Sequence, residues 1–424
     1  MSHPAAALPP ALSPEIRADL GRFLDTLAAS SKIGTGREGG MNRLTLSAAD
    51  KEMRDLFVTW CQEAGLEVTV DAMGSIFGRR AGTEDHLPPL LIGSHLDTQE
   101  NGGRFDGIVG VLGGLEVVRR LNDLGIQTRR PIVIVNWTNE EGARFSPPMV
   151  ASGCFVGDYD VAWAHGLKDG DGVSFGEALE AIGYKGAAPV GGYEIDGYFE
   201  LHIEQGDVLD RTGHEVGVVT HAYASHGMIA EFYGETAHTG PWPMVKRKNA
   251  LVAAARWLTA VDDIGWEQAG TNGKATAARL VASPNKAGLL SDWAQGVCDV
   301  RHENPETANV MRLQMERAVA HAAIKAGCEW KILDQWAWGG DIFEPSMVGE
   351  VRKAVAVLGY NALDLPSQAG HDAYFLARHF PTTMIFTPCK DGITHNNNEL
   401  ATPEMLEPGL NVLLHAVVSR ANRP

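Results

Sequence analysis

Cysteine is scarce in this 424-residue chain and shows no pairing motif: Cys61, Cys154, Cys298, Cys328 and Cys389 are scattered, odd in number and contain no Cys-x-x-Cys. That argues against a disulfide framework and against a thiolate zinc site, and it leads us to expect buried, reduced thiols in a cytoplasmic protein. Long apolar runs are missing as well; none approaches the ~20 residues that a membrane span requires. Positive charge is short: 36 Lys and Arg against 53 Asp and Glu leave a net charge of -17. Such a balance argues against nucleic acid and anionic membrane as partners. It leaves an anionic substrate open, because a local Arg or metal can outweigh the overall field. The spacing Gly-x-Gly-x-x-Gly occurs at Gly34–Gly39, but in a glycine-rich loop between two helical stretches rather than directly after a strand, which argues against a dinucleotide-dependent oxidoreductase. Gly107, Gly110, Gly113 and Gly114 do not have its spacing and more simply allow a helix to pack closely. There are no internal repeats or low-complexity tracts. Residues 1–14 have no basic patch followed by an apolar core, and read as a Pro/Ala-rich lead-in rather than a secretion signal.

What is present is alternation of strands and helices. Helical spacing covers residues 14–29, with Ser13 as the expected N-cap and Pro14 at the first helical position. Ser47 opens a second helix, and Asp50 stands at capping-box spacing from it. Residues 67–71, 75–79, 90–92, 131–137 and 198–203 read as strands; 131–137 is apolar enough for a sheet covered on both faces. A helix is expected over 107–121. Between about 219 and 337 the pattern forms a compact block of its own. The length favours two domains. The expectation is an α/β protein: residues 1–218 and 338–424 form a catalytic domain with a mixed, largely parallel sheet covered by helices, and 219–337 form an inserted, smaller α+β domain.

Four places set a His or an acid just past an apolar strand: His95 with Asp97, Glu140-Glu141, His202 with Glu204, and His395 with Glu399. Asp106 adds a fifth at a helix start. In an α/β sheet the carboxyl ends of the strands share one crevice, so these residues can meet there. Taken singly, each has a plain explanation. A lone His is more often a hydrogen-bonded core or surface residue, Glu140-Glu141 a solvated pair, and Asp106 an N-cap. Recurrence at several strand ends favours a metal site instead. Imidazoles and carboxylates without thiolate suit Zn²⁺, Mn²⁺, Co²⁺ or Ni²⁺. Glu140 and Glu141 can divide the labour, one binding metal and the other holding the water whose proton is taken.

The runs GSHLDTQENGGRFDG, NWTNEEGARF, ELHIEQG, HTGPWPM, QAGHDA and GITHNNNE resemble the motif series of binuclear-metal amidohydrolases acting on ureido compounds. That group contains N-carbamoyl-L-amino acid hydrolases, beta-ureidopropionases and allantoate amidohydrolases, relatives of the aminoacylase and carboxypeptidase metallopeptidases. The resemblance runs from about residue 30 to about 410. It implies two divalent ions held by His95, Asp106, Glu141, His202 and His395, with Asp106 bridging and with His95 and His202 on different ions. Asp97 would orient His95, and Glu140 would be the general base and proton shuttle. The inserted domain would serve as dimerisation and lid domain, with His238 reaching the neighbouring subunit's site in a homodimer. Gln205, His238, Asn285, Arg301 and Gly370 would contact substrate. A guanidinium suits a substrate carboxylate, although Arg301 could equally pair with Asp299 or Glu303. His238 and Asn285 can donate to an oxygen that turns anionic; beside Pro284, Asn285 could also be a turn residue.

Departures from the family pattern touch the substrate rather than the metal chemistry. Trp242 stands between Pro241 and Pro243 where a small polar residue is usual; it is an apolar wall or a packed lid residue. Arg247-Lys248-Asn249 replaces Arg-x-Asp, with Asn249 still able to cap the next helix. Asn396-Asn397 follows His395 in place of Ser-Pro. The expected reaction is hydrolysis of a linear C–N amide bond. The leading substrate is an N-carbamoyl amino acid, giving the amino acid, ammonia and carbon dioxide. The alternatives are N-carbamoyl-β-alanine, allantoate, or the N-acyl substrates of an aminoacylase or exopeptidase. A binding protein that has lost catalysis would lack a ligand or Glu140, and neither is missing.

Overall fold

A computed structural model describes residues 12–423; the Pro/Ala-rich stretch 1–11 lies outside them. In chain order the described strands are β1 (Glu67–Val70), β2 (Ile76–Arg80), β3 (Leu90–His95), β4 (Ile132–Trp137), β5 (Gly197–Ile203), β6 (Val216–Ala222), β7 (Ala224–Tyr233), β8 (Lys274–Ser283), β9 (Trp293–His302), β10 (Glu329–Trp338), β11 (Ala362–Ser367) and β12 (Thr382–Thr387). The chain divides into two compact units, one of residues up to 220 together with those from 342 onward, the other of residues 221–341.

The first unit is built on an eight-stranded sheet in the order β1-β2-β4-β3-β5-β12-β6-β11. Its four central strands, β4, β3, β5 and β12, run parallel, while β1, β2 and β6 pair antiparallel. Every residue of those central strands is buried, as expected of a parallel sheet covered by helices on both faces. The fold class is therefore α/β with a mixed sheet. Helix Ile108–Asp123 lies close on this sheet. A Cβ at Gly110 would stand 2.6 Å from the Leu201 carbonyl oxygen, so its glycines serve packing.

The first helix begins later than its periodicity indicates, at Leu20 rather than Pro14, and Asp19 caps it by accepting from the Arg22 N–H. Tertiary hydrogen bonds override the local pattern. Asn411 accepts the N–H of Ala18, Glu116 that of Asp19, and Arg120 donates to the Arg17 carbonyl. Those contacts keep residues 16–19 out of the helix. Ser47 does cap Ala48–Glu63, but the box is half made. Asp50 turns inward and accepts from the Leu46 N–H and the Arg54 guanidinium.

The second unit has a four-stranded antiparallel sheet, β10-β7-β9-β8. Helices Ala250–Gln268 and Pro305–Ala326 pack on it around Phe232, Trp257, Met311 and Met315. Trp257 satisfies its buried N–H on the Met315 carbonyl at 3.1 Å. Asn249 occupies the N-cap of the first of these helices but makes no capping hydrogen bond with its side chain. Trp242 packs within its own loop: its N–H reaches the Lys246 carbonyl at 3.2 Å, the Lys246 ammonium lies 5.7 Å from the ring, and Arg247 binds the Trp242 carbonyl.

All five cysteines are buried and unpaired. No described helix is long and apolar enough to cross a membrane. One buried acid next to β1 gives a stability test. Asp71 accepts from the N–H groups of Met73 and Ser75 through Oδ1, while its Oδ2 is buried without a partner. Burial pushes its pKa up from 3.8 to about 7. The folded state then keeps a proton that the unfolded state gives up. This contribution to stability is fully present below pH 3.8 and is lost as pH rises through about 7. Asp71→Asn keeps Oδ1 and cannot ionise. It should gain roughly 1–2 kcal/mol over the natural protein above pH 7, where the buried charge costs most, offset in part by an unpartnered amide. Urea unfolding across pH 4–8 should show this gap opening with pH; a constant gap would count against it.

Candidate metal centre

Each candidate donor is delivered by the carboxyl end of a central strand or by the loop beyond it. β3 ends in His95. The turn after it is tied down by buried Arg43, which donates to the Leu96 carbonyl at 2.7 Å while its main-chain N–H reaches the Thr98 hydroxyl at 2.9 Å. The chain then loops to Asp106. Gly107 takes the N-cap position with φ +69°, and a Cβ there would lie 2.2 Å from His95 Nε2. Only glycine lets the helix begin against that ring. Asp106 is thereby free of capping, and its carboxylate faces the imidazoles. Beyond β4, Asn139 adopts φ +63° and donates to the carbonyls of Phe145 and Pro147. The next two carboxylates diverge: Glu140 lies 3.3 Å from His95 Nε2, Glu141 3.3 Å from His395 Nε2. β5 supplies His202, and the loop beyond β12 supplies His395.

The donor atoms fall into two triads, His95–Asp106–His202 and Asp106–Glu141–His395, each with its atoms within 4.8 Å of one another. Asp106 is common to both. Its Oδ1 stands 3.1 Å from His202 Nε2 and 3.7 Å from His95 Nε2; its Oδ2 stands 3.4 Å from His395 Nε2. His95 and His202, expected on different ions, thus stand together in one triad. β3 and β5 are neighbours in the sheet, so their terminal histidines enter one triad. A third buried group, Glu200, His202 and His371, lies beside these. The rings of His202 and His371 meet edge to face at 4.4 Å. Glu200 is engaged by Ser94, Tyr198 and the Ala373 N–H.

Carboxyl groups outnumber cations here. Burial, then the charges of Asp372, Glu141, Asp106 and Asp97, hold the Glu140 carboxyl well above its usual range. Burial and Asp106 bring Glu141 to about 7. Burial opposes charge on His202 and His395, yet contact with Asp106 lifts each to about 9. His95, where burial dominates, falls to about 4. Crowded buried carboxylates with nitrogen donors and no thiolate fit divalent ions such as Zn²⁺ or Mn²⁺. The residues present suit such a group.

The other expected site residues divide between the units. Asp97 meets His95 Nδ1 through its main-chain carbonyl at 3.0 Å, its carboxylate standing 3.7 Å away. The Gln205 amide donates to Asp106 Oδ2 at 2.7 Å. Gly370 precedes His371, and a Cβ there would come within 3.1 Å of the Met149 methyl. Glu204 caps helix Val208–Thr212 by accepting from the Val208 and Leu209 N–H groups. His238, Asn285 and Arg301 belong to the second unit. His238 is exposed and accepts the Gly240 N–H on Nδ1, so the neutral ring presents its own N–H at Nε2. Asn285 is exposed in the loop after β8. Arg301 pairs with Asp299 at 3.2 Å. Gln99 was not anticipated. It grips Glu141 three times, with its main-chain N–H on Oε1 and its amide on Oε2 and the carbonyl. A glutamine in a loop carries no sequence signal for that.

An α/β sheet whose strand ends gather histidines and carboxylates in two triads around one shared aspartate defines a metal-dependent hydrolase. The model of peptidase family M20/M25/M40 matches residues 91–419, and the chain belongs to that family. It is 43% identical over 406 residues to an N-carbamoyl-L-amino-acid amidohydrolase of Rhizobium meliloti, covering 96% of this chain and 97% of that one. A protein of the same description from Geobacillus stearothermophilus is 34% identical, with 93% and 97% covered. The crystal structure of an amidase of the hydantoinase/carbamoylase family from Burkholderia vietnamiensis is similar with TM-score 0.92 and 44% identity, over 97% of this chain and 100% of that one.

Proposed function

We propose that this enzyme hydrolyses the ureido C–N bond of N-carbamoyl amino acids, releasing the amino acid, ammonia and carbon dioxide. The observation that carries the site is Asp106 shared by two donor triads. His95 and His202 would hold one divalent ion, Glu141 and His395 the other, with Asp106 between them. When bound, the ions supply Lewis acidity, lowering the pKa of water and polarising the ureido carbonyl.

The chain's own groups do the rest. Glu140 lies in neither triad, and its carboxylate stands 3.3 Å from His95 Nε2, beside the donors. It takes a proton from the attacking water and delivers it to the leaving nitrogen. Asp97 fixes the His95 ring through its carbonyl. The N–H at His238 Nε2 and the amide of Asn285 stabilise the oxygen that becomes anionic. Arg301 binds the substrate carboxylate; Gln205 and the Gly370 backbone help seat it. The first unit is the catalytic domain and the second the lid and dimerisation domain, with His238 serving the neighbouring subunit. Support for self-association comes from β8, a sheet-edge strand exposing Leu280 and Val281. Free, buried cysteines support a cytoplasmic setting.

The test is ammonia release by metal-free enzyme given Mn²⁺, Zn²⁺, Co²⁺ or Ni²⁺ in turn. Substrates would be N-carbamoyl-α-amino acids, N-carbamoyl-β-alanine, allantoate and N-acetyl-amino acids. Ammonia from the N-carbamoyl-α-amino acids is the expected result. Turnover confined to N-acetyl substrates would reject the proposal, and a preference for allantoate would reassign the substrate.

A further inference from the structure

Glu399 stands with His395 beyond β12, yet neither donor triad includes it. Its carboxylate is buried, with a polar contact at each oxygen. Oε1 accepts the main-chain N–H groups of Phe105 at 2.9 Å and Asp106 at 3.1 Å. Oε2 lies 3.1 Å from the Thr394 hydroxyl, which stands 2.8 Å from Asp106 Oδ2. The same residue closes the turn after His395, its own N–H reaching the Asn396 carbonyl at 3.0 Å. Room for it is made by Gly103, where a Cβ would lie 1.9 Å from the Glu399 carboxyl carbon. One side chain thus ties the loop that carries Asp106 to the loop that carries His395.

We propose that Glu399 is a positioning residue that sets Asp106 against His395 and so builds the Asp106–Glu141–His395 triad without itself acting as a ligand. The proposal rests on the two-ion reading above. Ligands must be held to within about 0.5 Å of the productive geometry, and hydrogen-bonded outer partners do this. Without Glu399, two buried N–H groups lose their acceptor and the backbone at Asp106 must move to find another. The hydroxyl of Thr394 has one hydrogen and faces two carboxyl groups. It can serve Asp106 steadily only if the Glu399 side tolerates that choice. Glutamine would do so. Its oxygen still accepts both N–H groups, and its amide donates to the Thr394 oxygen while Thr394 donates to Asp106.

The test is Mn²⁺ titration of metal-free protein by calorimetry, with metal content by elemental analysis and the spin coupling between ions by electron paramagnetic resonance. Glu399→Ala should bind the first ion as the natural protein does, bind the second about 10–100-fold more weakly, and lose the coupled signal. Glu399→Gln should keep both affinities and the coupling. Gly103→Ala, which displaces the carboxylate without deleting it, should weaken the second ion as Glu399→Ala does. It decides the matter if the melting of metal-free Glu399→Ala shows a damaged fold. A second ion held at natural affinity in Glu399→Ala or Gly103→Ala overturns the proposal, as does a glutamine variant no better than alanine. Natural protein that takes up fewer than two ions would overturn the two-ion reading itself, a distinct result.

Discussion

Glu140→Gln is expected to keep its full metal content and to lose roughly 10²–10⁴-fold in kcat, the range supplied by general acid–base catalysis. The expectation follows from a division between neighbours. Glu140 and Glu141 leave β4 in different directions, one toward His95 and the other toward His395. Glu141 belongs to a donor triad and is gripped by Gln99; Glu140 belongs to none. Glutamine preserves the size of Glu140 and removes only its capacity to carry a proton. KM should change little, because substrate contacts fall to other residues, so the loss should appear in kcat. Glu141→Gln is the control and should lose metal first and activity as a consequence. If Glu140→Gln turned over within tenfold of the natural enzyme with its metal in place, the proton shuttle would have to lie elsewhere.

Much of this centre could be read along the chain, because in a parallel sheet an apolar run ends where side chains enter the shared crevice. His95, Glu141, His202 and His395 each follow such a run, and the crevice rule brings strand ends together. What the one-dimensional pattern hides is adjacency. Nothing between residue 95 and residue 202 says that β3 and β5 lie side by side and bring their terminal histidines into one triad. Contacts made by the backbone are hidden too. Asp97 meets His95 through its carbonyl rather than its carboxylate, and every residue has a carbonyl. The grip of Gln99 on Glu141 comes from an irregular loop without periodicity. The first helix shows the opposite failure: its periodicity is real, but Asn411 and Glu116, distant in sequence, claim the N–H groups that an earlier start would need. Local preference was outweighed by tertiary hydrogen bonding.

Asp106→Ala is expected to abolish binding of both ions at once, where His202→Ala and His395→Ala each abolish one. Oδ1 of Asp106 faces His202 and His95, and Oδ2 faces His395. No other residue is shared by those two triads. Alanine removes a donor and a negative charge from each, so affinity should fall at both by more than the roughly 10–100-fold cost of losing an outer partner. The histidine variants leave Asp106 to complete the remaining triad. Thermal unfolding reads the same difference without turnover, because an ion that binds only the folded state raises the melting midpoint in proportion to the logarithm of its concentration over Kd. Added Mn²⁺ or Zn²⁺ should raise the midpoint of the natural protein most, that of either histidine variant by an intermediate amount, and that of Asp106→Ala hardly at all. Metal-free samples of all four should melt close together if the fold is intact. An Asp106→Ala protein that still held one ion at natural affinity would show that the triads do not depend on a common bridge. Asp106 would then be a ligand to one ion and only a neighbour of the other.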